Sequence, residues 1–105
     1  MAKYLLIFQG GGMPETDEEQ QRVMAAWTDW YGSLGAAVAD PGNPIGRTMT
    51  IASIGAVSEG GGSNPASGYA VIEAGSIDEA VAASKGCPIL ASGGSVEVAE
   101  TFDVM

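Results

Sequence analysis

The chain has 105 residues and a mass of 10.6 kDa, which is room for one domain, residues 1–105, and not for two. Hydrophobic residues make up 46 % and charged residues 16 %, a globular balance, and no apolar run approaches the roughly 20 residues that span a bilayer. Four Lys and Arg against 13 Asp and Glu give a net charge of −9, which argues against nucleic acid as a partner, while one cysteine and no histidine remove the imidazole-based nucleophile pairs and nearly every zinc site.

Residues 3–9 are apolar on both alternating sets, with Tyr4, Leu6 and Phe8 on one and Leu5 and Ile7 on the other. A strand of that kind is covered on both faces and belongs at the centre of a sheet. It carries one positive charge and no small-residue cleavage site, so it does not read as a signal peptide. Gly10-Gly11-Gly12-Met13-Pro14 breaks it. Thr16-Asp17-Glu18-Glu19 is a capping box that opens a helix over Asp17–Leu34, with Val23, Trp27, Trp30 and Leu34 as its apolar stripe and Gly35 as its stop.

Residues 36–40 are short and apolar and predict a strand, stopped by Pro41-Gly42-Asn43-Pro44. Residues 47–54, with Met49, Ile51 and Ile54, predict another. From Gly55 to Gly68 the composition is Gly, Ser, Asn and Pro, which predicts a loop, mobile unless a ligand or partner fixes it. Residues 69–74 are again apolar on both faces apart from Glu73. A second capping box, Ser76-Ile77-Asp78-Glu79, opens a shorter helix closed by Lys85 and Gly86, and residues 95–102 alternate as the last strand.

The order β-α-β-(β)-β-α-β predicts an α+β fold: a ferredoxin-like β-α-β-β-α-β subunit, with an antiparallel sheet and two helices on one face. Two such helices cover only one face, yet residues 3–9 and 69–74 are apolar on both. The other face needs cover, and a second copy supplies it, so a homodimer packed sheet to sheet is expected.

Tyr4-Leu5-Leu6-Ile7-Phe8, Met13-Pro14-Glu15-Thr16 and Trp27-Thr28-Asp29-Trp30 ahead of Leu34-Gly35 resemble the YCII-related (DGPF-type) small proteins. So do Gly68-Tyr69-Ala70-Val71-Ile72-Glu73-Ala74, Ser76-Ile77-Asp78-Glu79-Ala80, Gly86-Cys87-Pro88 and Gly93-Gly94-Ser95-Val96-Glu97-Val98. The resemblance covers nearly the whole chain and implies a dimeric α+β barrel. Its wider superfamily includes small enzymes acting on lactones, quinones and haem-related substrates, whereas most YCII-like members have no assigned activity. Two departures matter. The histidine of some members would fall at about Met24, and the stretch corresponding to Asp-Gly-Pro-Phe is Ser58-Glu59-Gly60-Gly61-Gly62. The family's catalytic residues therefore do not carry over.

Gly10-Gly11-Gly12 fails the spacing of a phosphate cradle, and Glu15, Asp17, Glu18 and Glu19 would repel the anion. Cys87 follows the negative end of the second helix and reads as a structural thiol. Trp27, Trp30 and Tyr31 read as core in the first place and as a stacking platform for a flat ligand in the second. No metal-ligand spacing and no cofactor motif is present. Asp40 could act as a base and Arg47 could hold an oxyanion, with Glu59 as a further carboxylate; turn capping and a surface ion pair are the plainer readings. The ligand-pocket candidates are thus Trp27, Asp40, Arg47 and Glu59, and Asp40 and Glu59 are the catalytic ones. Two functions compete: a non-catalytic cytoplasmic module binding a small ligand or serving a regulatory role, and a cofactor-free isomerase- or lyase-like enzyme using a carboxylate. Whether the chain is an enzyme stays open at this level.

Overall fold

A strand apolar on both sides must be paired on both edges, and the first strand is. The structure is a computed structural model describing residues 2–12, 14–62 and 64–104. β1 (Ala2–Gln9) lies between β5 (Ala66–Ala74) and β6 (Ser95–Glu100), antiparallel to both, and β2 (Val38–Asp40) extends the sheet beyond β5. The order β2-β5-β1-β6, with α1 (Asp17–Leu34) between β1 and β2 and α2 (Ile77–Ser84) between β5 and β6, is the ferredoxin-like arrangement. The two strands read as apolar on both faces are the two central ones.

Register builds the core. Tyr4 faces Ile72, Leu6 faces Ala70 and Phe8 faces Gly68, while Leu6 and Phe8 meet Val98 and Val96 on the other edge. All of these point to the helix side, where Trp30 of α1 and Ala80 of α2 join them and Tyr4, Leu6, Ala70 and Ile72 are buried. Gly68 leaves room for the Phe8 ring, whose edge lies 3.3 Å from where a Cβ would sit. The opposite face carries Leu5, Ile7, Tyr69 and Val71, half-buried, and neither helix covers it.

Both capping boxes form, with one shift. The Thr16 and Ser76 hydroxyls accept from the amides of Glu19 and Glu79, at 3.1 and 3.2 Å. The two glutamates reach back one residue further than the caps, to the amides of Glu15 and Gly75. Gly35 closes α1 at φ +55, its amide donating to the Tyr31 carbonyl.

The middle of the chain departs from expectation. Gly35–Ala37 winds as a 3-10 turn, so the strand expected over 36–40 shrinks to Val38–Asp40. The strand expected over 47–54 is β3 (Met49–Ile51), and it pairs not with the main sheet but with β4 (Val57–Glu59), inside the stretch expected to be a loop. That stretch also holds the start of β5, which begins at Ala66 rather than at Tyr69. Residues 101 and 102 lie beyond the last strand. Met13, in the break after β1, and Ser63, in the glycine-rich stretch, lie outside the described residues. Among the described residues no helix is long and apolar enough to cross a membrane.

Candidate functional site

Where α1 passes over the end of the sheet, the β2–β3 connection folds back and leaves a cavity of about 410 Å³. Phe8 from β1, Trp27 and Tyr31 from α1, Pro41 and Pro44 from the connection and Ile89 frame it. The rings of Phe8 and Trp27 meet edge to face at 5.1 Å, and Trp27 and Tyr31 lie 5.9 Å apart. Trp30, one turn away, is buried instead, its indole N–H donating to the Ala83 carbonyl at 3.0 Å. The two tryptophans therefore divide the roles: Trp30 is core, and Trp27 is wall.

The connection is held by two hydrogen bonds and a glycine. The Tyr31 hydroxyl donates to the Pro41 carbonyl at 2.9 Å, and the Asp40 carboxylate accepts from the Gly42 amide at 2.8 Å. Gly42 sits at φ +67, and a Cβ there would fall 1.7 Å from the Tyr69 carbonyl oxygen, so only glycine fits. Burial pushes the Tyr31 phenol up to about 12, with smaller contributions from Cys87 and Asp40, so it stays a protonated donor at neutral pH.

Arg47 and Glu59 are brought together elsewhere. Met49 faces Glu59 in the hairpin register, which sets Arg47 beside the Glu59 carboxylate, and the two form an exposed ion pair. Both line a second cleft of about 640 Å³ beside Gly60, Gly61 and Gly62. Of the four predicted pocket residues, Trp27 thus lines the aromatic cavity, Asp40 caps the turn that walls it, and Arg47 and Glu59 belong to the neighbouring cleft. Phe8, Pro41, Pro44 and Ile89 were not anticipated in the site. Phe8 was legible as a core strand residue and Pro41 and Pro44 as a turn, while Ile89 carried no signal of its own.

Cys87 is buried, and burial is the main cause that raises its thiol, with a backbone hydrogen bond at Ile89 opposing it. Burial, and not the negative end of α2, is what raises it. Among the described residues no cluster of three or more Cys, Asp or Glu is placed to hold a metal.

No family model matches the chain, and no curated protein matches it. Among solved structures it is similar to 5-chloro-2-hydroxyhydroquinone dehydrochlorinase (TftG) from Burkholderia phenoliruptrix AC1100, in complex with 2,5-dihydroxybenzoquinone. The likeness covers 94 % of this chain and 93 % of that one, at 18 % identity and a TM-score of 0.51. The fold is shared. A sequence this distant carries no more than the fold, and the DGPF-type resemblance rests on its motifs.

Proposed function

We propose that the protein is a homodimeric binding module for a small flat aromatic or quinone-like molecule, held between Trp27, Phe8 and Tyr31. The observation that carries this reading is the cavity itself. Its volume suits a single-ring ligand, its walls are aromatic and prolyl, and no carboxylate or cation lines it. Asp40 is engaged by the Gly42 amide and Glu59 by Arg47, so neither faces the ligand as a free base. A neighbour of the same fold that is complexed with a quinone supports the ligand class. The uncovered sheet face, with Leu5, Ile7 and Val71, supports a second copy packed sheet to sheet. A single cysteine, free and buried, suits a reducing setting such as the cytoplasm.

Calorimetric titration with 2,5-dihydroxybenzoquinone and with hydroquinone tests the site. The expected result is one saturable site per subunit, weakened at least tenfold by Trp27→Ala, with no chemical change in the probe. Turnover that disappears in Asp40→Asn or Glu59→Gln, at unchanged mass and melting temperature, would establish the cofactor-free enzyme instead. Absence of binding to both probes at millimolar concentration would remove the aromatic-ligand reading.

A further inference from the structure

The hairpin of β3 and β4 forms a sheet of its own, apart from the main sheet of the subunit that carries it. Its ladder pairs Met49 with Glu59, Thr50 with Ser58 and Ile51 with Val57, so one face is Met49, Ile51 and Val57 with Glu59 at its base, where Arg47 pairs the carboxylate, and the other is Thr50 and Ser58. It is fully formed: the Ala52 amide donates to the Ala56 carbonyl at 2.7 Å at the tip, and the Gly60 amide to the Thr48 carbonyl at 2.8 Å at the base. Yet its apolar side chains are bare, with Ile51 73 %, Val57 58 % and the tip residue Ile54 89 % exposed. An amphipathic two-stranded ribbon is marginal in water by itself, and its free edges invite pairing unless something covers them.

We infer that this hairpin is an arm that clasps a second copy of the chain. The occupant follows from area and charge. A compact monomer of this mass exposes about 5,500 Å², whereas this subunit exposes 7165 Å². The radius of gyration is 15.2 Å, against about 13 Å for a compact domain of this length. The surplus of about 1,700 Å² is twice what each partner gives up in a standard interface, and it is the scale of an obligate homodimer. Between Arg47 and Glu59 the eleven residues 48–58 carry no charge, in a chain of net charge −9. Two copies repel over most of their surfaces, and the arm is a part that both can bring into contact without that cost. An anionic membrane or polyanion would be repelled by the rest of the chain, and a basic partner would find no carboxylate on the arm short of Glu59.

The inference extends the homodimer proposed above, and the test separates the two. Sedimentation equilibrium compares the wild type, the double variant Ile51→Ser/Ile54→Ser and Val71→Glu, each from nanomolar to 50 µM. The arm residues are exposed in the subunit, so the double variant keeps its circular dichroism and its dimer weakens at least a hundredfold. Added salt tightens the wild-type dimer, because it screens like charge. Hydrogen exchange of residues 49–59 in the wild type gives a second measure, with protection at 50 µM that fades on dilution below the dimer constant. A double variant that dimerises as tightly as the wild type, or exchange independent of concentration, overturns the arm. If only Val71→Glu dissociates, the sheet contact stands without the arm; if only the double variant dissociates, the arm stands and the sheet contact falls. A wild type monomeric at 50 µM overturns both.

Discussion

Tyr31 is held by α1 on one side and by its bond to Pro41 on the other, and its phenol reports on that junction. In the folded chain its pKa lies at about 12, above the unfolded value of 10.0. The native state therefore keeps the proton longer. The associated stability is complete below about pH 10, and it is lost as pH rises through about 12. Urea midpoints measured between pH 9 and 12 should fall steeply in the wild type and less so in Tyr31→Phe. Tyr4, raised by burial first and then by Glu100, titrates late in both proteins, so the difference between them isolates Tyr31. An identical slope would place the phenol in water and open the cavity wall. At this scale the plainer sequence readings describe Asp40, a turn cap, and Arg47 with Glu59, an exposed pair whose contribution to stability is small.

The two helices show why some elements were legible in sequence and others were not. Asp17–Leu34 is readable to the residue because its signals are local: a capping threonine, three first-turn carboxylates and a terminal glycine. α2 has only eight residues, so its cap matters more. Ser76→Ala is expected to lower stability by about 1 kcal/mol, with Ser76→Asp restoring most of it, as measured by urea unfolding. Val57-Ser58-Glu59 was illegible for the opposite reason. Its composition is that of a loop, and it becomes a strand only because Met49–Ile51 lies across from it. The aromatic cavity is of the same kind. Phe8 looked like core and Pro41 like a breaker, and only the sheet register and the fold-back of the connection set them around one space. The helical period set Trp27 and Trp30 on one face, and only the structure separates them into cavity wall and core.

For the whole molecule, β5 separates folding from assembly. Sequence alternation places Val71 and Ile72 on opposite faces, and the structure assigns the faces: Ile72 points into the helix-covered core and Val71 to the bare side. Ile72→Glu puts a carboxylate among Tyr4, Leu6 and Ala80 with no partner, a loss of several kcal/mol, about enough to unfold a domain this small. Val71→Glu should leave circular dichroism and melting intact for the subunit while the mass by light scattering drops to 10.6 kDa. A Val71→Glu protein still at twice that mass would move the dimer contact off the sheet.

The central position of β1 also sets a schedule for folding. Its edges are completed by β5 and by β6, and the bond from the Thr101 hydroxyl to the Lys3 carbonyl closes over 98 positions. On the ribosome, β1 emerges ahead of its partners, and one edge waits for residues 66–74 and the other for residues 95–100. Through that interval its pairing groups are open to any passing strand, including another nascent copy. α1, capped by its own residues, can form during the wait and lay Trp27 and Trp30 over Phe8. The long first helix thus acts as a shield for the strand before the sheet exists.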